Sequence, residues 1–142
     1  MEDKTLREIF EKVNAEPFAR KLGLRLVKLD YGYSLVEMTF TPEMENILGM
    51  AHGGAIFSLI DEAFEAASNS YGESFVALSM NICYLKPPSK GETLYAEAKE
   101  LSRSDKVGTY EIKVKNDKGD LIASCQAVAH RKGSKSLLSS AN

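Results

Sequence analysis

Residues 46–71, NILGMAHGGAIFSLIDEAFEAASNSY, contain the only long stretch with helical periodicity, and most of the remaining well-patterned segments alternate with a period of two. That contrast constrains the fold more than any other feature. A helix from Gly53 to about residue 71 is about 27 Å long at 1.5 Å per residue, enough to lie across several neighbouring strands. Two strand-like segments precede it and four follow, joined by hairpin-length turns. Strands in runs, rather than in strict alternation with helices, predict an α+β domain in which a curved, mostly antiparallel sheet packs on this one helix.

The flanking segments fit that frame. Leu6, Ile9, Phe10 and Val13 form an apolar stripe on a short N-terminal helix, about residues 3–14, starting after Asp3 or Thr5. Pro17 breaks the pattern, and a further helical turn ends at Gly23. Leu24 and Leu26 begin a strand that turns at Asp30-Tyr31-Gly32. Tyr33 to Phe40 then alternates until Thr41-Pro42. Phe75–Leu85, rich in β-branched and aromatic residues, reads as a largely buried strand. Leu94, Ala96 and Ala98, then Tyr110, Ile112 and Val114, mark strands with one wet face. After the turn at 116–120, Leu121, Ala123, Cys125, Ala127 and Ala129 share one side of the last strand. Residues 1–132 are read as one domain and residues 133–142 as a disordered tail.

The balance of 18 basic against 20 acidic residues shows no basic excess, which argues against nucleic acid as a partner. Cys83 and Cys125 stand far apart, with no CxxC spacing or paired histidines, so no metal site is expected and both read as small buried hydrophobes. No apolar run approaches the roughly 20 residues that span a bilayer. The expected setting is soluble, reducing and cytoplasmic, without a membrane partner.

On a helical wheel at about 100° per residue, Ile56, Phe57, Leu59, Ile60, Ala63, Phe64, Ala67 and Tyr71 form a wide apolar arc for the sheet. Ser58, Asp61, Glu62, Glu65, Ser68 and Asn69 fill the remainder, a face that is ordinarily just solvated. By pattern alone Asp61 is one member of that face. His52 is a helix cap or the partner of a neighbouring loop, and Gly53 and Gly54 serve wherever backbone must turn or approach closely.

Together these residues fit one task. The first N–H groups of a helix lack internal partners and sit at the positive end of its dipole, so they can hold a negatively charged oxygen. A glycine there admits a substrate carbonyl, and a carboxylate supplies the base or nucleophile of acyl transfer. Asp61, however, is eight residues beyond Gly53, about 12 Å along the same helix, so one subunit cannot easily bring both to one carbon. An antiparallel pair of such helices in a two-fold dimer places Gly53 of one chain opposite Asp61 of the other.

The run Asn46-x2-Gly49-x2-His52-Gly53-Gly54-x6-Asp61, followed by Met80-Asn81-Ile82-x-Tyr84-x2-Pro87, resembles the hotdog-fold acyl-CoA thioesterases of the PaaI type. The resemblance covers Pro17-Phe18 to about Arg131. It implies a single hotdog domain, a dimer with a continuous sheet, a further pairing into a tetramer, and active sites at the dimer interface. By position, Asp61 would be general base or nucleophile on the thioester of an acyl-CoA, with an aryl or phenylacetyl acyl group one option. Gly53 N–H would polarise the carbonyl, while His52 and Asn46 would position it or the attacking water. Gly54 would lie at the substrate, with Phe57, Phe64 and Ile47 forming the acyl pocket. No cofactor is implied beyond coenzyme A as part of the substrate.

One position departs from the pattern. Many relatives carry Ser or Thr a few residues before the Met-Asn-Ile segment, where this chain has Ala77, and Ser74 and Ser79 are its nearest hydroxyls. Coenzyme A phosphates call for basic groups, and Lys86, Lys90, Arg103, Lys106, Arg131 and Lys132 form the available pool. The alternative from another class is a non-catalytic acyl-CoA-binding or sensing module of the same fold, which leaves Asp61 unexplained. Hydratase chemistry on this fold lacks its Asp and His placement here.

Overall fold

The computed structural model describes residues 3–139. Its elements run α1 (Lys4–Asn14), α2 (Pro17–Leu22), β1 (Arg25–Asp30), β2 (Tyr33–Thr39), α3 (Gly53–Ser68), β3 (Glu73–Tyr84), β4 (Thr93–Arg103), β5 (Val107–Asn116) and β6 (Leu121–Ser136). The six strands form one antiparallel sheet in the order β1-β2-β4-β5-β6-β3, against which α3 packs. No helix among the described residues is long and apolar enough to cross a membrane.

Local chemistry sets the leading helices. The Asp3 carboxylate accepts from Leu6 N–H at 3.1 Å and caps α1, whose Leu6, Ile9 and Val13 are buried. Pro17 at the start of α2 needs no N–H partner, and Gly23 closes that helix in the left-handed region at φ 70°.

Alternation in the middle of the sheet appears as expected. Ser34, Val36, Met38 and Phe40, then Leu94, Ala96 and Ala98, then Tyr110, Ile112 and Val114 all point into the core. Tyr110 meets Phe64 of α3 edge to face, with ring centroids 5.6 Å apart. Such a pair adds about 0.5–1.5 kcal/mol to the burial of its area.

Two of the sheet's register shifts change which apolar residues of β1 and β6 face the core. An irregularity between Leu26 and Lys28 lets both Leu26 and Leu29 face inward, three residues apart. Another between Val114 and Lys115 turns Ile122 into the core and leaves Leu121 exposed, correcting the face expected for Leu121.

Three further expectations are corrected. Helix α3 ends at Ser68, short of residue 71, because Asn69 ties the chain off. Its carboxamide donates to Glu65 O and Phe75 O, and its oxygen accepts from Phe75 N–H. Strand β3 is not largely buried: only Phe75 is enclosed, and Leu78 is 64% exposed. It lies at the edge of the sheet and pairs only with β6, so Cys83 is exposed while Cys125 is buried. The segment from Gly133 does not fray at once, since β6 continues to Ser136 opposite Glu73. Leu137 N–H then donates to Gly72 O at 2.8 Å, and Ser139 N–H to Glu8 at 2.6 Å. The rest of the expected tail, residues 140–142, lies outside the described residues.

Candidate active site

The loop before α3 folds on itself around Asn46. The side-chain oxygen of Asn46 accepts from Leu48 N–H at 2.9 Å and Met50 N–H at 3.0 Å, and its own N–H donates to Met50 O at 2.7 Å. Such side-chain-to-backbone bonding is what makes asparagine a turn residue. Gly49 takes φ 75°, a conformation that a side chain would strain. The turn thus places Ile47, 99% exposed, and Leu48 on the outside of the molecule.

At the helix start, His52 is the cap: its Nδ1 accepts from Gly54 N–H at 2.8 Å. Acceptance at Nδ1 leaves Nε2 as the ring nitrogen that carries a proton and can donate. His52 O takes Ala55 N–H at 3.0 Å and Ile56 N–H at 3.4 Å. Gly53 N–H is left without a partner among the described residues. The Tyr84 hydroxyl, from the end of β3, donates to Gly53 O at 3.2 Å. A Cβ at position 53 would stand 3.4 Å from the Tyr84 ring, in ordinary van der Waals contact, so the Tyr84 approach does not by itself require glycine.

Two turns further on, Asp61 lines a cavity of about 740 Å³ bounded by α1, α3, the start of β3 and the end of β6. Ile9, Val13, Phe64, Phe75 and Leu137 make its apolar walls, and Asp61, Glu65, Ser68 and Asn69 carry the polar side of α3 along it. That side is therefore not the solvated face expected from the wheel. The α1–α2 elbow and β3 cover it, and Glu62, Ser68 and Asn69 are buried. Burial raises the Asp61 carboxyl above its ordinary value, and the nearby Glu16 charge adds to this. Glu62 and Glu65 are pushed up to about 9, first by burial and then by hydrogen bonding to Glu16.

The structure therefore assembles the expected residues in two groups. Asn46, His52, Gly53 and Gly54 gather at the helix start with Tyr84, whereas Asp61 and Phe64 line the cavity. Phe64 is 1% exposed and belongs equally to the core, while Phe57 is 39% exposed on the outside of α3. Ala77 and Ser74 both reach the cavity wall and Ser79 does not, because β3 shifts register between Ala77 and Ser79. Most of the basic pool is engaged: Lys86 pairs with Asp120, Lys90 with Glu45, Arg103 with Glu73, and Arg131 with Glu73 and Asp105. Lys132 lines the cavity.

Sequence reasoning missed Glu16 and gave Tyr84 no role. Tyr84 stood in the quoted motif and its contact with Gly53 was accessible there in principle. Glu16 carries no local signal, because it meets α3 only through the tertiary fold.

A family model described as the thioesterase superfamily matches residues 48–123. A putative esterase from Archaeoglobus fulgidus is 42% identical over 110 residues, spanning 78% of this chain and 71% of that protein. Acyl-coenzyme A thioesterase PaaI of Escherichia coli is 36% identical over 115 residues, spanning 81% of this chain and 82% of the relative. The structure of the E. coli PaaI protein from the phenylacetic acid degradation operon superposes with a TM-score of 0.87 and 31% identity, covering 93% of this chain and 99% of that one. A Streptococcus mutans protein whose crystal structure is bound to acetyl CoA matches with a TM-score of 0.75 and 26% identity, over 79% of this chain and 90% of its own.

Proposed function

This chain belongs to the thioesterase superfamily as a hotdog-fold enzyme of the PaaI type, and from that premise we propose that it hydrolyses acyl-CoA thioesters at a site shared by two chains. The observation that carries this reading is the Gly53 N–H at the start of α3, unpartnered among the described residues, together with a half-buried Asp61 on the same helix. Their separation of about 12 Å requires the second helix. Strand β3 supports such a pairing, because an apolar twelve-residue edge strand presents unpaired backbone groups to another chain. Two β3 edges side by side would continue the sheet across the dimer. We further propose that two such dimers pair into a dimer of dimers, and sedimentation tests it.

In the mechanism, the thioester carbonyl oxygen approaches Gly53 N–H and the positive end of the α3 dipole. Asp61 of the other chain takes a proton from water as the water oxygen bonds to the carbonyl carbon, and negative charge develops on the oxygen facing Gly53. A donor aimed at such an oxyanion is worth about 2.7–4 kcal/mol. Collapse breaks the carbon–sulfur bond, the proton returns from Asp61 to the leaving sulfur, and free acid and coenzyme A depart. As a nucleophile, Asp61 would instead attack the carbonyl carbon and expel the coenzyme A thiolate, which takes a proton from solvent, and water would then hydrolyse the resulting anhydride to free acid and the Asp61 carboxylate. His52 and the Asn46 amide would orient the carbonyl or the water from the helix start. Gly54, Phe57 and the exposed Ile47 would meet substrate across the dimer interface, and Phe64 lines the acyl cavity. With Phe64 and Phe75 in its walls, that cavity suits an aryl or phenylacetyl acyl group.

Thiol release from a panel of aromatic and aliphatic acyl-CoAs tests this reading. Asp61→Asn is expected to lose roughly a hundred-fold or more in kcat, since a positioned base contributes about 10²–10⁴. Equal rates for the two proteins would remove Asp61 from the chemistry. Tight acyl-CoA binding without turnover by the wild type would favour a sensing module instead.

A further inference from the structure

We propose that Glu16, at the elbow between α1 and α2, is a positioning residue for the hydrolysis: held against Glu62 and Glu65 beside the cavity that Asp61 lines, its carboxylate strengthens Asp61 as a base. The inference rests on the reading of Asp61 given above.

The geometry starts at the elbow. Ala15 N–H donates to Lys12 O and Glu16 N–H to Val13 O, and Pro17 fixes the first residue of α2, so the backbone at position 16 has little freedom. Glu16 occupies the cap position of α2, yet its side chain makes no capping bond. It extends toward α3 instead. There Glu62 and Glu65 lie three residues apart on one helix face, and carboxyl oxygens of all three glutamates fall within 4.8 Å of one another.

Three charges cannot coexist at that spacing. Carboxylates held this close and partly out of water repel strongly, so protons must neutralise part of the trio. Glu62, only 5% exposed, and Glu65 are the groups that keep theirs, both being raised to about 9. They donate to Glu16, whose charge acts on Asp61, and Glu16 Oε1 is buried with no hydrogen-bond partner among the described residues. Asp61 lines the same cavity, one helical turn before Glu65, and feels that charge directly.

Other charged groups do not cancel it. Lys12 of α1 and Lys132 of β6 line the cavity but are exposed. The buried Cys125 thiol of β6 is itself raised to about 11, by burial first and in part by Asp61. The β3 wall, from Ser74 to Ala77, holds no ionisable group. A base gains from an affinity for protons nearer the working pH, and a fixed negative neighbour supplies that without touching substrate.

The test is the pH profile of kcat and kcat/KM for acyl-CoA hydrolysis by the wild type, Glu16→Gln and Glu62→Gln. Removing the Glu16 charge should move the acid limb to lower pH and lower the plateau kcat, with KM little changed. Glu62→Gln keeps a neutral donor to Glu16 and should leave the limb in place. An unmoved limb in Glu16→Gln, or an equal displacement in Glu62→Gln, overturns the proposal. If Glu16→Gln does not fold, Glu16→Asp replaces it, drawing the charge back by one methylene, and a limb that stays put then has the same force. Asp61→Asn measured in parallel separates the two readings. Full activity there defeats the role of Asp61 itself, whereas an inactive Asp61→Asn beside an unmoved limb defeats only that of Glu16.

Discussion

The two sides of α3 are built on opposite terms. Toward β2, β4 and β5 the helix presents Ile56, Leu59, Ile60, Ala63 and Ala67, all buried within one chain and matched by the alternate residues of those strands. Toward the α1–α2 elbow and β3 it presents Asp61, Glu62, Glu65, Ser68 and Asn69, which border a cavity or share protons. The first side is closed by the chain itself. The second is covered but not filled, and it adjoins an apolar sheet edge. Stability should therefore be concentrated on the first side and chemistry on the second, at some cost in stability where carboxyl groups are buried.

The largest effect is expected on the closed side. Leu59 is wholly buried, and Leu59→Ala should lower the unfolding free energy by about 2–5 kcal/mol, read from denaturant melts. A loss below 1 kcal/mol would mean that the two sides do not differ as described.

A smaller effect of opposite sign is expected on the polar side. The folded chain holds protons on Glu62 and Glu65 up to about 9, while the ordinary value is 4.5, so between these limits it binds more protons than the unfolded chain. The stability from these groups is complete below the lower value and is lost as pH rises through the higher one. Glu62→Gln should flatten that decline and stabilise the protein by about 1 kcal/mol or more at pH 8 relative to pH 5, since one pKa unit is worth ~1.4 kcal/mol. Parallel melting curves for the two proteins at both pH values would contradict this.

The smallest change in the stability of the single chain belongs to the edge. Leu78→Lys on β3 should alter it by no more than about 0.5 kcal/mol, as surface substitutions do. Sedimentation should nevertheless show the proposed β3-paired dimer lost, and thiol release should fall with it. A variant that stays dimeric and active would place the interface elsewhere.

These contrasts also mark what the sequence could disclose. Period-two alternation in β2, β4 and β5 reports burial because both neighbours of each strand belong to the same chain. The same kind of residues in β3 gave the opposite outcome, since their surroundings depend on strand order, which no local pattern encodes. The bulges beside Leu26 and Val114 moved Leu29 and Ile122 inward through backbone geometry, not composition. At the site, the spacing from Asn46 through His52 and Gly53 to Asp61 was readable because a loop and one helix carry all four. Glu16 reaches the cavity from an elbow distant in sequence from α3, and the wheel therefore showed a wet face where the fold supplies a roof.

The helix that carries both Gly53 and Asp61 also bears on heredity. If two chains pair through β3, a lesion at one of these positions and a lesion at the other spoil different members of each shared site. Two defective alleles, one of each kind, could then assemble a mixed dimer in which one of the two sites is whole.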